Sequence, residues 1–430
     1  MTQRYVVAVL SLWACLQAYA IRTNIAVALL YIPNVSETSA GSLLSAFFLG
    51  YLCTQVLGGW SASRIGAKPV LIVGALVWTL GDVAATSVYF SPGLLFLSRV
   101  VVGLGQAVLF PCVSNLAALW FPRDEKSFLT TLSYSGMDLG SILSLSLDPI
   151  IAKRFGWQFI FIGWAGVTIA WISVLLAFAP ASAKQDQLVR HENTSQSESR
   201  TPWLKLLTKV PFLAIFSAHF SMNYSWYLLL SWIPTYIQKE LHIDLKSNAF
   251  LAALPYISSF AGFLICGRIS DLMFRKNIKL VYIRKIMNSM GLLVPAVSLM
   301  VLSTTSDAQI AVTLLCVTLF FARSTGSGYL VNIVDVAPRF SGQLMGISNT
   351  IGTVPGIVSN LATGYILEKT HSWRLVFSIA AVVNVIGAVI FALFASADDQ
   401  FEPEGLDQDE TREPLNHRMT DCSKINLSPS

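Results

Sequence analysis

Ionisable side chains interrupt several long apolar stretches of the sequence, and they could bind charge or move protons. Arg22 lies in the stretch 5–32, about ten residues or more from either end. If that stretch crosses a membrane, the charge is too deep to reach the surface, and the guanidinium can bind carboxylate or phosphate through two parallel hydrogen bonds. Arg22 is therefore our first candidate for substrate contact. The alternative is a structural ion pair with an acid such as Asp138.

Most of the other embedded groups have two interpretations. Arg99 could bind an anion or reach the outer interface, and Arg323 is a further cavity candidate. Asp138 could carry a proton, or it could be the permanent partner of an arginine, which we favour. His219 could relay a proton near neutral pH, or it could mark the membrane interface. For Asp82, packing or hydrogen bonding is the commoner role.

The elements that position these groups are membrane spans. Apolar residues make up 54% of the 430-residue chain and charged residues 12%, about half the ~25% charged share of soluble domains. This composition excludes a soluble enzyme, a disordered chain and a nucleic-acid binder. About 20 apolar residues cross a bilayer, which predicts twelve spans: 5–32, 41–62, 69–90, 93–120, 128–151, 157–180, 209–236, 246–273, 280–303, 308–334, 340–367 and 372–396.

The loop charges predict the orientation. One set of loops carries 15 Lys and Arg residues and the other carries 6, so the first set, both termini and the 181–208 loop are predicted to be cytosolic. The Asn34-Val35-Ser36 sequon then falls in an outer loop, glycosylated or unused. The start of the chain also resembles a signal peptide ending at Ala18-Tyr19-Ala20. The apolar run that resumes after it, and the odd span count left by cleavage, argue against that.

The chain contains an internal repeat. Phe121-Pro122-Arg123 and Ala337-Pro338-Arg339 are 216 residues apart, and Trp157 and Trp373, Gly136 and Gly352, and Gly140 and Gly356 share that offset. We predict an all-α membrane protein with two six-helix halves of the same orientation, which is the major facilitator fold. The predicted divisions are 1–180, a cytosolic linker 181–208, 209–396 and a disordered acidic tail 397–430.

Two segments resemble a cytosolic motif of that superfamily, Gly-x-x-x-Asp-Arg-x-Gly-Arg/Lys. They are 58–68, with Arg64, and 267–271, with Asp271. In the superfamily, the acid caps a helix end and pairs with a basic residue to latch one state of the transport cycle. Ser63 replaces the acid in the first segment, so the resemblance implies a weaker latch in that half. We assign Arg64 and Asp271 as latch candidates.

Several ordered segments resemble the solute carrier 17 family of anion transporters, which holds sodium–phosphate cotransporters, sialin, vesicular glutamate and nucleotide transporters, and plant phosphate transporters. These segments are RTNIAVA (22–28), SAFFLGY (45–51), TQVLGGW (54–60), WIPTY (232–236), ALPY (253–256), RKIMN (284–288), DVAPR (335–339) and GISNTIGT (346–353). The resemblance implies an anionic substrate. It also implies that Arg22, Arg99, Tyr227 and Asn349 lie at cavity positions.

Two departures bear on the subtype. Many members have a glutamate, linked to proton coupling, seven residues after the fourth-span arginine. That position is Gln106 here, which cannot titrate and is similar to the nucleotide branch. The glutamate branch has an arginine in span seven where this chain has Met222, so the resemblance argues against glutamate as substrate.

We therefore expect a transporter working by alternating access, with an organic anion, nucleotide or phosphate as substrate. Membrane potential, H⁺ or Na⁺ could drive it, and Cl⁻ is a further candidate partner ion. Sodium-coupled phosphate uptake and a non-transporting anion sensor on the same fold are the alternatives. An enzyme is not expected, and neither is a cofactor, a metal site or a nucleic-acid partner. The membrane could be the plasma membrane or that of an organelle or vesicle.

Overall fold

The computed structural model describes residues 3–86, 92–121, 126–178, 203–243, 249–305 and 307–401, and helices occupy most of them. All twelve predicted spans occur as helices. In the described residues ten of them are single helices: α1 (Gln3–Ala28), α2 (Glu37–Ile65), α3 (Ala67–Ala84), α6 (Lys126–Phe155), α7 (Gln158–Phe178), α9 (Val210–Lys239), α10 (Ala249–Arg275), α11 (Leu280–Leu302), α14 (Ser341–Thr370) and α15 (Trp373–Phe394).

Two spans are broken near their middle. The fourth consists of α4 (Pro92–Gln106) and α5 (Leu109–Trp120). The tenth consists of α12 (Ala308–Ala322), a 3₁₀ turn (Arg323–Gly326) and α13 (Tyr329–Val336). The 216-residue offset carries the bounds of α4 onto those of α12, so both halves break at the same repeat position. A short helix, α8 (Trp203–Thr208), precedes α9, and a 3₁₀ turn (Pro338–Phe340) precedes α14.

The spans differ in how apolar they are. In the described residues, eight helical segments are long and apolar enough to cross a membrane by composition alone. The remaining four spans, α2, α6, α9 and α14, are 29 or 30 residues long but more polar. These helices contact other helices along much of their length, and a helix surrounded by protein needs less apolar surface than one surrounded by lipid.

Glycines allow the closest helix contacts, but the two repeat-related pairs have different neighbours. A methyl group at Gly136 or Gly140 of α6 would overlap backbone carbonyls of α1. The same change at Gly352 of α14 would collide with the ring of His219, and at Gly356 with the ring of Phe48. The first pair packs two backbones within one half, whereas the second packs against aromatic rings, His219 of the second half and Phe48 of the first. Helix α1 runs unbroken through Ala18–Ala20 and is buried there, as a span of the bundle would be.

We call the end of the molecule at the 33–36 loop the outer end and the opposite end the inner end, following the predicted orientation. At the outer end α2 and α14 are in tight contact, because Gly41 and Gly364 bring their backbones together. The backbone N–H of Thr38 donates to Glu368 at 2.8 Å, and Lys239 forms an ion pair with Glu37. The outer end is thus closed between the two halves.

Toward the inner end, the same two helices part. Leu57 and Trp60 of α2 and Met345 of α14 are exposed, and Gly342 and Gly346 of α14 face open space. The described structure is therefore closed at the outer end and open at the inner end.

The predicted linker and tail lie mostly outside the described residues. The linker is described only from residue 203, and the tail only to residue 401. The start of the tail is packed: the N–H of Gln400 donates to the Val336 carbonyl at 2.8 Å, and Phe401 stacks on Phe212 with ring centroids 5.9 Å apart. Residues 397–401 are therefore packed on the second half, so the predicted disorder is wrong for them. The rest of the predicted tail lies outside the described residues.

Candidate functional site

Arg22 lies in the middle of α1, inside a group of aromatic rings. Its guanidinium carbon is 4.6 Å from the ring centroid of Tyr19, 4.3 Å from that of Phe47 and 5.3 Å from that of Tyr51. Its side chain is 7% exposed, and its Nε atom has no hydrogen-bond partner in the described part of the chain. We call Arg22, Tyr19, Phe47, Phe48, Tyr51 and Tyr227 the aromatic cage.

The aromatic cage joins the two halves. Phe48 of α2 packs on Tyr227 of α9 with ring centroids 4.5 Å apart, and the hydroxyls of Tyr51 and Tyr227 interact with the guanidinium of Arg22. Rings at these distances stabilise a cation through their negative faces. They do not neutralise it, and within the described residues Arg22 has no carboxylate partner. The cage therefore holds an uncompensated positive charge between the halves.

Asp138 is the partner of Arg323, so the alternative ion pair between Asp138 and Arg22 is not formed. Arg323, in the 3₁₀ turn of the tenth span, forms an ion pair with Asp138 of α6. Ser259 of α10 bridges them: its hydroxyl accepts from Arg323 Nε at 2.7 Å and donates to Asp138 Oδ1 at 3.2 Å. The guanidinium of Arg323 also lies 4.1 Å from the ring centroid of Trp226.

Arg99 is enclosed within the first half. It donates to Asp82 of α3 at 3.3 Å and to the carbonyl of Ile21 at 3.0 Å, and both charged side chains are fully buried. Asn24 adds a further donor to Asp82 at 3.1 Å. The outer-interface alternative for Arg99 does not fit this burial, and its role in substrate binding stays a prediction. Gln106, at the end of α4, donates to the Ala18 carbonyl at 2.9 Å.

His219 lies deep in the second half rather than at a membrane interface. Its Nδ1 is 2.8 Å from the Ser348 hydroxyl, and its ring stacks on Tyr329 at 4.7 Å between centroids. Asn349, the next residue on α14, is half-buried. Asn223 of α9 donates to the Gly352 carbonyl at 2.7 Å. These contacts connect α9 to α14. The proton-relay role of His219 and the substrate role of Asn349 stay predictions.

The two latch candidates are exposed near the inner end. The guanidinium carbon of Arg64 lies 4.9 Å from the ring centroid of Trp60. Asp271 is at the exposed inner end of α10, and neither residue forms an ion pair with a described residue. The latch would form in the conformation in which the inner end is closed, and the described structure is open there. This assignment therefore stays a prediction.

One polar contact of the second half was not predicted from the sequence. Arg284 lies in the first turns of α11, where it donates to Asp335 at 2.7 Å and to the Ser327 carbonyl at 3.1 Å. Both partners lie in segments that carry the family resemblance, RKIMN and DVAPR, which was the available signal. The embedded acid Asp148 accepts from Trp164 Nε1 at 2.9 Å and from Ser144.

The comparisons with known proteins agree with this architecture. Residues 7–360 match the family model described as Major Facilitator Superfamily. Human sialin is 31% identical over 92% of this chain and 90% of its own length. The probable anion transporter 4, chloroplastic, of Oryza sativa subsp. japonica is 33% identical over 93% of this chain and 70% of its own.

Solved structures show the same fold. The inward-open conformation of the xylose transporter XylE from E. coli superposes with a TM-score of 0.72 at 12% identity, covering 93% of this chain and 98% of that one. A crystal structure of a D-xylose-proton symporter gives a TM-score of 0.73 at 15% identity, covering 91% and 97%. The family match and the transporters named among the relatives confirm the predicted class, a membrane transporter rather than an enzyme.

The chain belongs to the major facilitator superfamily and, within it, to the group that includes sialin and the plant anion transporters.

Proposed function

We propose that this protein is a secondary active transporter of a small anion, and that the anion binds at Arg22 in the aromatic cage. The two halves rock about the bound anion, so that the cage opens alternately to the inner and the outer end. The observation that carries the proposal is the uncompensated charge of Arg22 at 7% exposure between the halves. A buried charge is costly unless it is paired, and an anion entering the cavity supplies the missing partner.

The cage favours an organic anion. A carboxylate can accept both parallel N–H groups of the guanidinium, while the rings of Tyr19, Phe47 and Tyr51 offer apolar surface to the rest of the molecule. Relatives with organic substrates include the chloroplastic ascorbate transporter of Arabidopsis thaliana, 33% identical over 92% of this chain and 75% of its own.

Sodium-coupled phosphate uptake is the second candidate, because one relative is named for sodium-dependent phosphate transport. The sodium-dependent phosphate transport protein 1, chloroplastic, of Arabidopsis thaliana is 32% identical over 92% of this chain. Phosphate would also accept two parallel N–H groups of Arg22, but it has no apolar part that could pack against the aromatic rings.

The proposed orientation places both termini, the linker and the inner opening in the cytosol, because the loops at that end carry the excess of Lys and Arg. The membrane is that of the cell or of an organelle. The driving force is a membrane potential, worth about 2.3 kcal/mol per charge per 100 mV, or an H⁺ or Na⁺ gradient.

Uptake into proteoliposomes tests the proposal. Labelled phosphate, ATP, glutamate and sialic acid are compared under an imposed potential, a sodium gradient and a pH gradient. Arg22→Ala should lower the rate at subsaturating anion about tenfold to a hundredfold, because it removes charge-assisted hydrogen bonds of about 1.5–3 kcal/mol. Arg374→Ala, at an exposed arginine of the outer end, is the matched control.

Each outcome separates the candidates. Uptake of an organic anion that is lost in Arg22→Ala supports the proposal, and sodium-driven phosphate uptake supports the second candidate. Binding of an anion without flux in the wild type would indicate the sensor alternative. Uptake that Arg22→Ala leaves unchanged would remove Arg22 from the site.

A further inference from the structure

Asp138 and Arg323 form a buried ion pair that joins the two halves near the middle of the membrane. Asp138 lies on α6 of the first half, and Arg323 and Ser259 lie in the second half. The side chain of Asp138 is 4% exposed and that of Arg323 is 10% exposed. Among the described residues, the other ion pair between halves is Lys239–Glu37 at the exposed outer end. A rocking motion of the halves would therefore strain the central pair, and an anion entering between the halves would come close to it.

The groups around this pair are neutral except for Arg22. Tyr19 of α1 is close enough to Asp138, Arg323 and Arg22 to interact electrostatically with all three. From α10, Tyr256 lies within range of both members of the pair, and its buried hydroxyl has no hydrogen-bond partner in the described part of the chain. Trp226 of α9 covers the guanidinium. Helices α5 and α7 contain no charged residue in the sequence, so Asp138 has one near cation, Arg323.

Arg323 also stands at a break in its span. The 3₁₀ turn that begins at Arg323 interrupts the tenth span between α12 and α13. Short 3₁₀ segments within a helix mark hinges, and broken helices at mid-membrane form the binding sites of many transporters. At the related break in the first half, Gln106 is held by a backbone carbonyl of its own half. The second break instead presents a charge to the opposite half.

We propose that Asp138 and Arg323 are an exchangeable pair that couples anion binding to a proton. The transported anion takes the place of the Asp138 carboxylate on Arg323, and Asp138 accepts one proton from solution in the same step. The anion then bridges Arg22 and Arg323, with the Tyr256 hydroxyl as a further donor. This inference deepens the proposed function and rests on it, because it assigns the second cationic contact and the coupling ion of the same site.

The charges of the three groups support this exchange. With Asp138 ionised, Arg22, Arg323 and Asp138 sum to one positive charge, and Arg323 is occupied. Once Asp138 is neutral, the sum is two positive charges and Arg323 is free to bind. A buried carboxylate that loses its cation is costly unless it is neutralised, so the proton and the anion must arrive together. By linkage, the factor by which the proton strengthens anion binding equals the factor by which the anion strengthens proton binding.

The experiment uses proteoliposomes with a trapped pH dye. It compares two processes: proton-coupled accumulation of the anion, and exchange of labelled for unlabelled anion across the membrane. The probes are labelled phosphate, ATP, glutamate and sialic acid. In the wild type, anion entry should acidify the lumen, and an inward-directed pH gradient should drive accumulation. In Asp138→Asn the lumen should no longer acidify, and accumulation should fall at least about tenfold more than exchange at equal concentrations on both sides.

Three further variants keep the test decisive. Asp138→Glu restores a group that can take a proton and should restore acidification. Arg323→Gln should weaken the apparent affinity for the anion about tenfold or more, since it removes a charge-assisted contact. Asp148→Asn, at an embedded acid held by Ser144 and Trp164 rather than by a cation, is the matched control and should keep acidification. Melting temperatures identify any variant that fails to fold.

The possible results are distinguishable. Transport in Asp138→Asn with the acidification of the wild type would overturn the inference and leave the proposed function standing. Wild-type uptake without acidification would do the same. Absence of uptake and of binding for all four probes in the wild type would overturn the proposed function and this inference together.

Discussion

Two buried aspartate–arginine pairs have the same chemistry in different surroundings. Asp82 and Arg99 are fully buried within the first half, and Asn24 and the Ile21 carbonyl satisfy further groups of the pair. Asp138 and Arg323 connect the halves, and the Arg323 side chain is 10% exposed. The first pair moves as part of one rigid half, whereas the second lies where two bodies move and an anion can enter. Location relative to the halves, rather than residue type, separates a structural pair from an exchangeable one.

The largest effect should come from breaking the pair within one half. Asp82→Asn leaves Arg99 as a buried, unpaired charge, which should cost about 3–5 kcal/mol of stability. We expect a large fall in the melting temperature of the purified protein, or loss of folded protein. The double change Asp82→Leu with Arg99→Met should recover most of the loss, because apolar replacement of a buried pair is close to neutral.

Asp138→Asn provides the contrast. We expect a smaller fall in melting temperature than for Asp82→Asn, because Arg323 is less completely buried than Arg99 and keeps its hydrogen bond to Ser259. Equal falls for the two variants would contradict the distinction between the pairs.

A smaller effect on stability should distinguish a glycine that packs two helices of one half from a glycine that packs helices of different halves. Gly140→Ala places a methyl group against the Leu16 carbonyl inside the first half, and overpacking of this kind costs about 1–3 kcal/mol of stability. Gly364→Ala places one against the Glu37 carbonyl, between the halves. The halves can part there, so we expect the outer end to open with little loss of stability.

Thiol labelling measures this difference. Ser45→Cys, in a Cys53→Ser background, introduces a thiol at a position buried in the closed contact between α2 and α14. Its reaction with an impermeant maleimide added at the outer end should accelerate in Gly364→Ala and stay slow in Gly140→Ala. Acceleration in both, or in neither, would show that the outer contact is not where the halves part.

The smallest effect should come from the outer ion pair. Lys239 and Glu37 connect the halves, but the Lys239 side chain is 53% exposed. An exposed pair contributes about 0–1 kcal/mol and is screened by salt. Lys239→Gln should therefore raise the labelling rate of the Ser45→Cys thiol only a few-fold, and less at high salt. A change as large as that of Gly364→Ala would mean that charge, rather than backbone packing, holds the outer end closed.

The apolar stretches and the 216-residue offset were enough to predict the class of fold and all twelve spans. Each of these features acts locally, because a span needs only about 20 residues that can leave water, and a repeat keeps the same local pattern twice. The depth of Arg22 within its stretch identified it as a candidate for the same reason.

The tertiary structure decided which charges are paired. Asp138 was available to either Arg22 or Arg323 in the sequence, and the packing of α6 against α10 and the break in the tenth span give it to Arg323. The folding of α3 against α4 likewise encloses Arg99 with Asp82, and the first turns of α11 bring Arg284 to Asp335. Pairing depends on distances between residues far apart in the chain, which no local pattern contains. The sequence by itself therefore determined where charge enters the membrane. Only the three-dimensional arrangement determined that, of Arg22, Arg99 and Arg323, Arg22 is the one without a carboxylate partner among the described residues.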